Sequence, residues 1–284
     1  MEAARQTAES ILAPAASRQR LISLDALRGF LLLAMASMGW GAPEVAKCFP
    51  DRPAWQFAGA QMSHVAWKGC NFWDLIQPAF MFMVGISMVY SFAGRREAGH
   101  SFGHLLARTI YRSVVLAMLG IMLAAQGPLR PDIVLTNVLT QIGLGYPFLF
   151  LLWNCRPRWQ LLAGALILIG DWAVFYAYPT PSPNFDYGRV GVPADWPHLE
   201  GAEAHWDKNT NVAAEVDRIV LNWLPRRRRF EYSSRGYATL NFVPSLVTMI
   251  FGLLAGGLLR GGRTAQQKLL WLMAAGLCCL CLGA

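Results

Sequence analysis

His64 and Asp74, ten residues apart in SHVAWKGCNFWDLIQPAF, are the side chains whose types and spacing best suit acid–base chemistry. A free imidazole titrates near about 6.5, so a histidine can accept a proton around neutrality, and a positioned general base contributes roughly 10²- to 10⁴-fold in rate. A second reading makes His64 an interfacial residue, amphipathic like the neighbouring Trp67 and Trp73 of an aromatic belt. Asp74 has two roles open to it as well. It can cap the helix that follows, whose N-terminus favours negative charge, or it can orient the imidazole as the third group does in nucleophile–base arrangements.

Asp171 stands inside the apolar run LILIGDWAVF. A carboxylate near mid-bilayer costs roughly 2.5–3.5 kcal/mol and is a functional residue by default. It either lines a pocket or is protonated or paired with a polar residue such as Asn137, Gln141 or Asn241. Arg28, in SLDALRG, follows Asp25 by three residues and shares a helical face with it. That pair is a topology anchor or, together with Arg95, Arg96, Arg108 and Arg112, part of a guanidinium surface for a phosphate-bearing ligand such as coenzyme A. Gly143 with Gly145, and Gly252 with Gly256, are read as sites of close helix packing.

These residues need a scaffold, and composition says which kind. Of 284 residues, 55% are hydrophobic and 15% charged, against about 25% charged in soluble domains. The apolar residues gather into runs long enough to cross a hydrocarbon core of about 30 Å. The expected fold is all-α, a polytopic bundle of about seven transmembrane helices at about 28–46, 72–92, 110–126, 134–153, 160–178, 238–259 and 267–284. Residues 1–25 form an N-terminal segment whose first 20 residues lack the apolar core of a cleaved leader. Residues 26–284 form one membrane domain.

The net charge of +8 does not indicate nucleic acid, because the basic residues sit in short loops between apolar runs. Arg5, Arg18 and Arg20 precede helix one. Arg95, Arg96 and Arg108 join helices two and three, Arg156 and Arg158 join four and five, and Arg260, Arg263 and Lys268 join six and seven. Under the positive-inside rule that pattern puts the N-terminus in the cytoplasm and residues 47–71 outside. The loop at about 179–237, rich in Pro, Trp and carboxylates and carrying Arg226 to Arg229, is expected to be an external cap. Its four arginines read as a solvated or headgroup-facing cluster. None of the six cysteines has the spacing of a zinc site, so no metal is expected. Cys48 and Cys70 flank the first external loop, as a disulfide or as free thiols.

Five stretches fall in a familiar order: RLISLDALRGF, HVAWKGCNFWDLIQPAFMFMVGISM, NVLTQIGLGY, NVAAEVDRIVL and FVPSLVTMIFGLLAGGLLR. The chain resembles the heparan-α-glucosaminide N-acetyltransferase family and its bacterial relatives, most specifically at His64, Trp67, Gly69, Asp74, Pro78, Phe80, Phe82 and Gly85. The resemblance implies a multi-pass protein of a bacterial inner membrane. It would take acetyl-coenzyme A as co-substrate from the cytoplasm and pass the acetyl group to an amino sugar or envelope glycan outside. His64 matches the family's active-site histidine, viewed either as a base or as an acetylated intermediate. The expected site is therefore His64 and Asp74 for catalysis, Arg28, Arg108 and Arg112 for coenzyme A, and Trp67, Lys68 and Asp171 for the acceptor. Two departures bear on substrate: the family's lysosomal enzyme has Asn at the positions of Lys68 and Gly39. The family usually continues for several more helices, so the chain is expected to lack part of that bundle. The alternative is a non-catalytic membrane protein or small-solute transporter with the same fold; a homodimer is left open.

Overall fold

The structure is a computed structural model that describes residues 21–124 and 132–283, and the elements are α-helices and short 3-10 turns with no strand among the described residues. Arg5, Arg18 and Arg20 and the end of the third predicted helix, near 126, lie outside the described residues. The chain divides into two units, Met1–Met62 and Ser63–Ala284.

In the first unit, α1 (Ile22–Ala36) is followed by a 3-10 turn (Gly39–Gly41), α2 (Ala42–Cys48) and α3 (Pro53–Gln61). The single helix expected over 28–46 is thus two helices bent by 57°. The break has a local cause: Met38, Gly39, Trp40 and Gly41 all have positive φ, which no helix can contain, and Pro43 then restarts the helix at its first turn. α3 falls in what was expected to be loop. Pro53 opens it, and Gln56 ties it to α2 by donating to the Ala46 and Phe49 carbonyls.

The second unit carries α4 (Ile76–Glu97), α5 (Phe102–Ala124), α6 (Val138–Leu152), α7 (Pro157–Ala177), α8 (Val212–Trp223), α9 (Phe242–Arg260) and α10 (Ala265–Gly283). Five helical segments are long and apolar enough to cross a membrane, six if α1 and α2 are one broken span. α6 is the shortfall from seven. Its 15 residues reach about 22 Å at 1.5 Å per residue, less than the hydrocarbon thickness. α5 begins well before the predicted 110, so Arg108 lies within its second turn rather than in a loop, and Arg112 lies in its middle rather than at its start.

The core joins α4, α6 and α9. Met81, Met88 and Phe92 pack with Ile142, Tyr146, Leu149 and Phe150, and with Leu246, Met249, Ile250 and Leu253. Glycines set the approach of α4 to α9: a Cβ on Gly85 would fall 2.0 Å from the Met249 carbonyl oxygen, and one on Gly252 would fall 2.1 Å from that of Phe82. The GxxxG of α9 is therefore a packing device, as expected. Gly252→Ala should cost on the order of 1–3 kcal/mol through overpacking, read as a lower melting temperature in detergent.

Between α7 and α9, residues 178–238 fold over one end of the bundle. Their centre is α8, started by Asn211, whose side chain accepts from Ala214 N at 3.1 Å. Asp217 on α8 is buried, and both its oxygens accept from Thr239 N at 3.1 Å, fastening α8 to the start of the ninth helix. Burial pushes the Asp217 carboxyl up, opposed by the hydrogen bonds from Thr239. A raised folded value means the native state holds this proton more tightly than the unfolded chain. Its contribution to stability is full below about pH 3.9 and declines as pH rises through the folded value. Asp217→Asn should therefore gain stability relative to wild type as pH is raised from about 4 to about 7, read as the difference in melting temperature.

Candidate active site

The loop 63–71 and the 3-10 turn Phe72–Leu75 lead into α4 and build the site. Asn71 is extended and starts a capping box: its side chain receives the Asp74 amide, while Asp74 Oδ2 accepts from Asn71 N at 2.9 Å. Val65 N adds a longer bond to the same oxygen, at 3.4 Å, and Asn71 Nδ2 donates to the Ser63 carbonyl at 3.1 Å. These bonds fix both the carboxylate and the loop that carries the imidazole. Asp74 Oδ1 is left to face His64 Nδ1 at 2.7 Å. The two roles considered for Asp74 are thus filled at once, one by each oxygen.

The tautomer follows. A carboxylate only accepts, so Nδ1 carries a proton, and in the neutral ring Nε2 keeps its lone pair. The His64 side chain is 56% exposed and that of Asp74 22%, so the imidazole is reachable while its partner is screened. Trp73 stands edge-on to the imidazole, with ring centres 6.3 Å apart.

Trp67 and Lys68, three and four residues beyond His64, are bound to the cap. Trp67 Nε1 donates to the Trp206 carbonyl at 3.2 Å and its ring meets that of Trp196 edge to face. Gly236 lies against this indole; a Cβ there would come within 2.3 Å of it. Lys68 Nζ holds both oxygens of Glu203 at 2.7 Å. Both side chains are exposed, so the pair contributes about 0–1 kcal/mol to stability; its geometric effect is to latch the His64 loop to the turn Gly201–Trp206.

That latch leads to a second histidine–carboxylate pair that motif reading missed. His198 Nδ1 lies 2.6 Å from Asp207 Oδ2, and Asp207 Oδ1 accepts from Trp196 Nε1 at 3.2 Å. Asp207 is buried, and Lys208 lies over the Trp196 ring at 4.4 Å. The clustering of Trp196, His198, His205 and Trp206 was the available signal.

Asp171 is not drawn into the site. Among the described residues its side chain makes no hydrogen bond or ion pair, and two of its three proposed partners are engaged elsewhere. Asn137 caps α6 by accepting from Leu139 N, and Gln141 accepts from Gln77 at 2.7 Å. Gln77 lies one turn beyond Asp74, and Ser245 also reaches Gln141 at 3.5 Å. The polar interior therefore runs through Gln77, Gln141 and Ser245.

The basic residues occupy the other end of the second unit, where α4 ends, α5 begins and α9 ends. Arg95 bonds Ser91, Arg96 donates to Asn154 Oδ1 at 2.6 Å, and Arg260 pairs with Glu97. Arg108 and Arg112 share one face of α5, four residues apart, and Arg112 lies over the Tyr146 ring at 5.4 Å. Arg28, in the first unit, pairs with Asp25 at 3.3 Å. Cys48 and Cys70 are both free thiols.

No family model matches the chain. Among curated proteins it is 25% identical over 302 residues to the heparan-alpha-glucosaminide N-acetyltransferase of Mus musculus, covering 93% of this chain and 42% of that protein. The Homo sapiens protein of the same name is 26% identical over 235 residues, 71% of this chain and 32% of the relative. The chain is a distant relative of these heparan-alpha-glucosaminide N-acetyltransferases. It spans less than half the length of the curated N-acetyltransferases it matches. The histidine singled out by resemblance to this acetyltransferase family is the one that the fold pairs with a capped carboxylate.

Proposed function

We propose that the chain is a membrane-embedded acyltransferase that moves an acetyl group from acetyl-coenzyme A to an amino sugar or related envelope glycan, with His64 as the central residue. The observation that carries the reading is the 2.7 Å contact of His64 Nδ1 with Asp74 Oδ1, which holds the neutral imidazole with Nε2 unprotonated. The names of the two mammalian relatives support the reaction class.

Two routes use the same lone pair. In one, Nε2 removes a proton as the sugar amine attacks the thioester carbonyl; the C–N bond forms, the C–S bond breaks, and the proton passes to the departing thiolate. In the other, Nε2 attacks the thioester carbonyl, the C–S bond breaks and coenzyme A leaves as the thiolate; the amine then attacks the acetyl-imidazolium, the bond from the acetyl carbon to Nε2 breaks, and the proton lost by the amine neutralises the thiolate. Asp74 stabilises the cation that forms on the ring in either case.

The donor is assigned to the basic end of the second unit, with Arg108 and Arg112 offered to its phosphates, and the acceptor to the His64 end beneath the cap; Arg28, in the first unit, stays a candidate for the donor by its charge alone. By the positive-inside rule the basic end faces the cytoplasm, so the acetyl group crosses the bundle. Trp67 and Lys68 act on the acceptor by positioning the cap, Lys68 being already held by Glu203.

The test is transfer of labelled acetyl from acetyl-coenzyme A to glucosamine by the purified chain. Label in the sugar supports the enzyme. Uptake of glucosamine into vesicles without any acyl donor, with no labelled product when the donor is supplied, would replace it with transport.

A further inference from the structure

At the basic end, a cavity of about 340 Å³ opens between the ends of α4, α5 and α6, within the range of roughly 300–1,000 Å³ usual for small-molecule sites. Its lining is divided by polarity. Arg96, His100 and Asn154 come from the last turn of α4 and from the loops, whereas Phe102, Leu105, Phe150 and Leu151 come from the helices themselves. Leu105 and Phe150 belong to the buried core, so the apolar part reaches into the bundle.

The charge at the polar rim is not neutralised by the protein. Arg96 is held by the neutral amide of Asn154 at 2.6 Å, so its position is set and its charge kept. Glu97 is the only carboxylate in residues 93–102 or 152–158, and it is paired with Arg260. His100 is exposed and stacks on His104, with ring centres 4.8 Å apart, and Arg156 precedes α7 while Arg158 lies in its first turn. A fixed cation above an apolar cleft at the end of membrane-crossing helices matches a molecule with a phosphate at one end and hydrocarbon at the other.

We propose that this cavity binds one anionic phospholipid, its phosphate on Arg96 and His100 and the start of an acyl chain along Phe102, Phe150 and Leu151. Basic pockets between transmembrane helices are established headgroup sites, and guanidinium groups engage phosphate oxygens bidentately. Charge complementarity selects an anionic lipid over a zwitterionic one. The site is separate from the His64–Asp74 pair, and it stands whether or not the acetyltransferase reading does.

The test is native mass spectrometry of the full chain taken from vesicles of equal phosphatidylglycerol and phosphatidylcholine. Wild type should retain phosphatidylglycerol preferentially, and Arg96→Gln, which can still bond Asn154, should lower that enrichment about fivefold. Leu151→Trp, which narrows the cleft from a partly exposed position, should lower retention of both lipids with the melting temperature kept. Equal retention of the two lipids by wild type, or an unchanged enrichment in Arg96→Gln, overturns the proposal. So does displacement of phosphatidylglycerol by equimolar coenzyme A, which would assign the cavity to a nucleotide.

Discussion

Asp74→Asn should lower acetyl transfer about 10²- to 10⁴-fold while leaving the fold and acetyl-coenzyme A binding intact. The reason is the direction of one hydrogen bond. Asparagine keeps an oxygen for the Asn71 amide, so the capping box survives, but its amide nitrogen then faces His64 Nδ1 as a donor. The imidazole must accept there, its proton moves to Nε2, and the lone pair that both routes require is lost. Turnover should fall while the Michaelis constant for acetyl-coenzyme A holds, because Asp74 belongs to the His64 end. Asp74→Ala should combine that loss with the loss of a cap, about 0.5–2 kcal/mol, and the melting temperature separates the two variants. An Asp74→Asn protein with wild-type turnover would reduce the 2.7 Å contact to a structural feature.

His64→Ala has the largest expected effect. A base alone is worth about 10²- to 10⁴-fold, and if the ring carries the acetyl group its loss removes the route altogether. The fold should be indifferent to the change, because the His64 side chain is more than half exposed and the bonds that Asp74 accepts from Asn71 and Val65 do not involve it. Transfer measured beside circular dichroism and thermal unfolding checks both halves of that expectation.

The helices were legible because each membrane segment is an apolar run, and every predicted run overlaps a helix, though α6 falls short of a span and the first run is bent. Their ends were less so. α5 starts among Gly103, His104 and Arg108, polar residues that a hydropathy window assigns to a loop but that a helix end at the membrane boundary accommodates. α8 was invisible for the opposite reason. It buries Ala213, Asp217 and Leu221 at spacings of four, an amphipathic stripe rather than a long apolar run.

The site divides the same way. His64 and Asp74 were identifiable by type, yet nine residues separate them, and their contact depends on Asn71 and Val65 turning the chain back. Asn71 three residues before Asp74 is itself a capping signature, the one local clue to that turn. The settings of Lys68 and Asp171 were not legible, because each depends on residues distant in the sequence. Glu203, 135 residues away, holds Lys68, and of the polar residues considered for Asp171, Asn137 caps its own helix and Gln141 bonds Gln77.

The most direct test of the central claim uses proteoliposomes with acetyl-labelled coenzyme A enclosed on the basic-loop side and glucosamine supplied on the His64 side. The account predicts labelled N-acetylglucosamine with wild type and background label with His64→Ala, both proteins being folded and equally inserted. Equal label with the two proteins would contradict the account.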